Sequence, residues 1–181
     1  MNTKIKRLAL CGVFAGLTLA LMWIGSFVPS MEYALPAIAG LPALLLVLEA
    51  GRPWALAVYA AAAALCLLLL PEKSAALFYA AFFGYYPVLK SFLEEKLPPW
   101  LEWPLKFAVF NATAIFAYWL GTKLFGVALD DFGETFGKYA KGILLAMANL
   151  SFWLYDYMIL SSFITLYRRR WRKKLRHISR L

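Results

Sequence analysis

Only one histidine, His177, stands in the whole chain, and it lies close to the carboxyl end. That scarcity excludes a zinc site or a histidine-dependent dyad in the body of the protein. Cysteine is almost as rare. Cys11 and Cys66 both fall inside apolar runs, with no CxxC and no Cys/His cluster, so each reads as a small core residue. No GxSxG elbow, HExxH or P-loop occurs. Glu94-Glu95 lacks a following arginine at the spacing that intramembrane proteases of the prenyl type use. The repeated aspartates that hold metal ions for phosphotransfer within a membrane are also missing. The expectation is a protein that is not an enzyme and needs no metal or other cofactor.

Charge is scarce as well. Of 181 residues, 16% are charged, 63% are hydrophobic and 17% are aromatic. A soluble domain of this length cannot hide so much apolar surface, and several long runs are nearly free of charge, so transmembrane helices are expected. The length allows one membrane domain and no separate soluble catalytic domain. The basic amino end leads into an apolar run of about 22 residues, too long for an ordinary signal-peptide core.

A helix needs about 20 residues to cross about 30 Å of hydrocarbon. Charges, prolines and glycines divide residues 1–167 into six expected spans, at 8–29, 33–49, 54–70, 74–92, 105–126 and 142–166. The fold class is therefore an all-α integral membrane protein, a bundle of six helices. The second span is interrupted by Pro36 and Pro42 and reads as short or partly re-entrant. With the amino terminus cytoplasmic, the inner segments hold fifteen Lys and Arg. The outer ones hold four, Lys73, Lys123, Lys138 and Lys141. This asymmetry places both termini inside and requires an even number of crossings. The net charge of +9 is thus a topology signal rather than a nucleic-acid surface. Eight of the basic residues surround Trp171 in the tail, 168–181, where each is worth about 1 kcal/mol against an anionic leaflet.

Two connectors are longer than turns. The inner one, 93–104, carries Trp100 and Trp103 as headgroup-level anchors. The outer one, 127–141, places Phe132, Phe136 and Tyr139 at helical spacing and reads as a short amphipathic helix on the surface.

Within the spans, polar and aromatic residues fall into stripes. Asn149, Trp153 and Asp156 share one face of the sixth, with Tyr155 and Tyr157 beside Asp156. A carboxylate at that depth costs about 2.5–3.5 kcal/mol, so Asp156 should be paired, protonated or used. The fifth span has Asn111, Tyr118 and Thr122 on one face; the fourth has Tyr79, Tyr86 and Lys90, with Phe82 and Phe83 between. Such stripes suit either a cavity for a small, partly aromatic solute or interhelical hydrogen bonds of about 0.6 kcal/mol each. Lys90 is a candidate counter-ion for Asp156, but it lies near enough to the inner face to snorkel. Glu49 and Arg52 read as a local surface pair. In the first span Gly12, Gly16 and Ala20 recur every four residues, the small-xxx-small pattern that lets another helix approach closely.

These features together resemble the substrate-binding S components of energy-coupling factor (ECF) transporters for vitamins and micronutrients. The likeness covers nearly the whole chain in length and layout. It includes the basic amino end, the small-residue first span LALCGVFAGLTLAL at 8–21, six spans and a basic tail. YALPAIAGL at 33–41 and FFGYYPVLK at 82–90 are also similar to segments of bacterial relatives. The resemblance implies a multi-pass protein of the bacterial cell membrane with both termini cytoplasmic. It implies that a vitamin-like small molecule is captured from outside and handed to a transmembrane coupling subunit driven by two ATPase subunits. Docking would then fall to Gly12, Gly16 and Ala20, with glycines where the family usually has alanines. Solute contacts would fall to Tyr79, Tyr118, Asn149 and Trp153, with Asp156 deeper. The alternative is a scaffold or assembly protein that uses its basic tail and small-residue face without any solute. A third reading is an independent small carrier, or an unrecognised enzyme, using Asp156.

Single cysteines placed at Asn2 and His177 in a cysteine-free background should react with an impermeant maleimide only after the membrane is opened. Reaction of one end alone in sealed spheroplasts would remove the even-numbered topology.

Overall fold

In the computed structural model of the chain, residues 3–28, 31, 34–120, 123 and 140–167 are described. Among them every regular element is helical and none is a strand. An apolar chain has little choice in lipid, because a helix satisfies its backbone N–H and C=O groups within its own segment. Four helical stretches are long and apolar enough to cross a membrane: Lys4–Gly25, Arg52–Leu69, Lys73–Lys96 and Gly142–Tyr167.

Helix α1, Thr3–Gly25, starts five residues before the expected first span, because the basic lead is itself helical. Lys and Arg are good helix formers, so the charges do not end the helix. The expected second span is two short helices, α2 (Ala34–Ala39) and α3 (Leu41–Glu49), separated at Gly40. Pro42 opens α3, where its missing N–H has no intrahelical partner to lose. Gly51 then takes φ +98°, a conformation open to glycine alone, and the chain turns sharply into α4, Arg52–Leu69.

The turn after α4 is stapled from both sides. The Lys73 ammonium donates to the carbonyls of Leu67 (2.9 Å) and Leu70 (2.8 Å), covering the negative end of α4. Glu72 caps the next helix, α5 (Lys73–Phe78), by accepting from the Ser74 N–H at 3.2 Å and the Ser74 hydroxyl at 2.5 Å. A π turn at Tyr79–Phe83 follows, then α6, Tyr86–Lys96. The inner connector is not an irregular stretch. Helix α7, Pro99–Leu120, begins six residues before the expected fifth span, leaving only Leu97 and Pro98 between helices. α7, 22 residues long, carries Glu102, Lys106 and Asn111 and is not among those four apolar stretches. Helix α8, Ala140–Leu154, runs into a second π turn, Tyr155–Ser161, and α-helix resumes over 162–167.

The chain divides into two compact units, Met1–Ala140 and Lys141–Leu181. The first packs around small residues. One cluster joins Met22, Ala39, Ala62, Cys66, Ala75, Ala76 and Tyr79, and a second joins Cys11, Leu46, Ala50, Ala55, Val58 and Val88. Alanines at these contacts let backbones approach closely, which is how helices associate where water supplies no hydrophobic drive. Both cysteines are free thiols inside these clusters, as small core residues should be. Most of the outer connector expected at 127–141, and the basic tail at 168–181, lie outside the described residues.

Glu72→Ala removes the cap of α5 and should lower stability by about 1 kcal/mol, read as an earlier thermal unfolding midpoint in detergent.

Candidate functional site

The segment Lys73–Lys96 is one membrane length of chain with a fault in its middle. Residues 79–83 form a π turn, so the Gly84 N–H donates to the Tyr79 carbonyl at 2.9 Å, one residue further back than in an α-helix. Pro87 then opens α6 without an N–H of its own. Backbone acceptors are left short of donors in an apolar environment, where an unpaired carbonyl is expensive. Tyr59 of α4 supplies one donor: its hydroxyl reaches the Ala80 carbonyl at 2.6 Å. The ring can sit there only because residue 84 is glycine. A Cβ on Gly84 would stand 2.4 and 2.7 Å from Tyr59 ring carbons and 2.9 Å from Cζ of Tyr79.

Rings and hydroxyls tie this break to the rest of the unit. Tyr59 meets Tyr79 at 6.2 Å and Tyr85 edge-on at 5.9 Å. Phe82 stacks on Tyr86 at 4.6 Å and meets Phe110 of α7 edge-on at 5.1 Å. Tyr79 faces Thr18 of α1, and Tyr85 faces Thr113 of α7. The break is therefore a junction of α1, α4 and α7.

An ion network closes the other end of α6. Lys90 and Lys106 are each only 1% exposed, and both bind the same carboxylate oxygen: Glu94 Oε1 lies 2.6 Å from Lys90 Nζ and 3.1 Å from Lys106 Nζ. Glu102 also pairs with Lys106, whose ammonium lies 5.3 Å from the Trp103 ring centre. Arg52 does not remain beside Glu49. It crosses to α6, where Nε donates to the Ser91 hydroxyl (3.2 Å), Nη2 donates to the Ser91 carbonyl (3.0 Å), and the guanidinium pairs with Glu95. Nor does Lys90 snorkel, because Glu94 one turn away meets it inside the protein. The network fixes α4, α6 and α7 against one another. It contains no nucleophile–base pair.

The sequence-derived residues are placed as follows. In the first unit, Tyr79 is buried in the ring junction, and Tyr86 and Lys90 are buried as well. Tyr118 lies on α7, but its side chain is outside the described residues. Gly12, Gly16 and Ala20 are all exposed on α1, and nothing lies within 4 Å of a Cβ built at either glycine. In the second unit, Asn149 donates to the Leu145 carbonyl of its own helix at 2.8 Å. Trp153 is 42% exposed and stacks on Tyr157 at 5.8 Å. Asp156 is 1% exposed and lies in the π turn, its backbone carbonyl accepting from the Ser161 hydroxyl at 2.9 Å. The buried stripe of this helix runs through Phe152, Tyr155, Asp156 and Leu160.

Sequence reasoning missed Tyr59 and Gly84, and it missed the carboxylates Glu94 and Glu102. The signals were present. Tyr59 is the lone polar aromatic in an alanine-rich run, Gly84 stands three residues before Pro87, and both Lys90/Glu94 and Glu102/Lys106 have the i,i+4 spacing. Among the described residues no three His, Cys, Asp or Glu side chains gather to hold a metal ion. No protein family, curated protein or solved structure matches the chain.

The two adjacent glutamates of α6 should differ sharply when truncated. Glu94→Ala removes the carboxylate that two buried ammoniums share and should cost about 2–4 kcal/mol. Glu95 is 63% exposed, so Glu95→Ala should cost less than about 1 kcal/mol. Chemical unfolding of the two variants in the same detergent reads the difference.

Proposed function

We propose that this chain is a membrane subunit that works by docking rather than catalysis, and specifically the substrate-capturing subunit of an ATP-driven, ECF-type importer for a vitamin-like small molecule. One observation carries the reading. The small-residue stripe Gly12, Gly16 and Ala20 is open along α1 instead of being consumed in internal packing. A helix that merely faces lipid has no need of glycine, which weakens it relative to alanine by about 1 kcal/mol per residue. Glycines at four-residue spacing are explained when another backbone approaches closely.

In this reading the chain crosses the bacterial cell membrane six times with both ends in the cytoplasm, α2 and α3 forming a short, broken crossing and α7 the fifth. Membrane lipid surrounds the remaining exposed apolar faces. A transmembrane coupling subunit docks on α1, and two ATPase subunits hydrolyse ATP away from this chain, whose sequence has no P-loop. Tyr79, Tyr118, Asn149, Trp153 and Asp156 contact the solute. A second reading, a scaffold with no solute, is favoured by the burial of Tyr79 among rings that already fill the space around it.

The test is co-purification. Gly12→Leu and Gly16→Leu should abolish recovery of a coupling subunit with this chain while leaving its thermal unfolding midpoint unchanged. Intact complexes with both variants would overturn the docking reading. Native mass spectrometry of the gently purified wild type separates the two readings. A bound small molecule lost in Asn149→Ala or Trp153→Ala supports solute capture, and a bare protein supports the scaffold.

A further inference from the structure

The Ala80 carbonyl takes its donor from another helix, because the one its own helix would supply is turned elsewhere. In an unbroken α-helix the donor to residue 80 is the N–H of residue 84. Here the Gly84 N–H is spent on the Tyr79 carbonyl, and the Tyr59 hydroxyl from α4 takes its place on Ala80. Moving the Gly84 N–H from Tyr79 to Ala80 would convert the π turn to α-helix, satisfy Ala80 without Tyr59, and shift the glycine against which the Tyr59 ring packs.

That exchange is not local. Removing the extra residue of the π turn from the helical repeat rotates everything beyond it by about 100°, one residue's share of an α-helical turn. The element beyond it is α6, which carries Lys90, Ser91, Glu94 and Glu95. Their partners Arg52 and Lys106 stand on α4 and α7. The present register therefore has a lock at each end: Tyr59 on Ala80 in the apolar interior, and the shared Glu94 and Glu95 pairs at the far end. Tyr59 and Arg52 belong to the same helix, so a displacement of α4 loosens the Ala80 contact and the Arg52 pairs together, leaving Glu94–Lys106 between α6 and α7. Gly84 admits the Tyr59 ring at one end, and Pro87, which has no N–H, leaves the junction one helical hydrogen bond short.

We propose that Tyr79–Phe83 is a two-register hinge, keyed by the Tyr59 hydroxyl, that turns α6 about its axis relative to α5. The hinge does not depend on the importer reading: it belongs to this chain whether or not a solute is bound. π turns inside α-helices occur frequently at functional sites, which is what a stored change of register would require.

Distances between spin labels test it. Labels go at Leu68 on α4 and Phe92 on α6, both exposed, in a Cys11→Ala, Cys66→Ala background. The parent protein should give one dominant distance. Tyr59→Phe removes the competing donor and Gly84→Ala expels the Tyr59 ring. Each should add a second population displaced by up to about 10 Å, roughly the diameter of a helix with its side chains. Deleting Ala81 in the Tyr59→Phe background removes the extra residue, so an ordinary α-helix then holds α6 in its present orientation. The single parental distance should return. Parental distributions in both point variants, or a deletion that fails to restore the parental distance, would overturn the proposal. If Tyr59→Phe does not fold, Gly84→Ala and its own Ala81 deletion carry the same comparison.

Discussion

A hydroxyl group on α4 completes the backbone of another helix. Where Lys73–Lys96 passes through its π turn, the carbonyl of Ala80 loses its α-helical donor, and Tyr59 replaces it at 2.6 Å. In water such a carbonyl would be solvated at little cost. In hydrocarbon it needs a partner from within the protein. Much of the first unit follows from that requirement. Tyr59 must reach across, so residue 84 carries no Cβ, and the neighbouring rings of Tyr79 and Tyr85 pack around it, facing Thr18 of α1 and Thr113 of α7. The alanine-lined contacts of α4 with α1 and α5 let the helices come close enough for a tyrosine to bridge them.

The ion network serves the same end by different means. Two buried ammoniums would be prohibitive alone, and two separate ion pairs would still bear a desolvation cost that their attraction barely repays. Sharing one oxygen of Glu94 joins the helices through a single partly exposed carboxylate, with Glu102 balancing the second charge. The benefit is positional. Tyr59 sets the rotation of the chain at one end of α6, and Arg52, on the same helix as Tyr59, sets it at the other.

Much of the architecture was legible because composition and hydropathy act over many residues. The all-helical class, the four long apolar stretches and the interruption of the second segment near Pro36 and Pro42 follow from sums over windows, which tolerate local error. Span ends were less legible, since Lys4, Lys6 and Arg7 do not stop the helix, and Pro99 starts α7 inside an apparent loop. Register was least legible. A face assigned at 100° per residue assumes uninterrupted α-helix, and no residue type announces a π turn. Tyr79, Tyr86 and Lys90 nevertheless share burial as their stripe suggested, whereas Trp153 points partly outward although Asp156, three residues on, is buried. The ion network was readable in its i,i+4 spacings and was lost among charges assigned to the membrane surface.

The shared carboxylate also bears on how the chain is made. A nascent helix bearing an uncompensated lysine is a poor substrate for lateral release into lipid, at a cost on the order of 2.5–3.5 kcal/mol near mid-membrane. Here Lys90 is synthesised one helical turn before Glu94, and Glu102 one turn before Lys106, so each charge leaves the ribosome beside an opposite one. With only Leu97 and Pro98 between them, α6 and α7 bring Glu94 to Lys106 as the second helix forms. Partitioning from the translocon is then a property of the hairpin as a neutral pair, not of either helix alone.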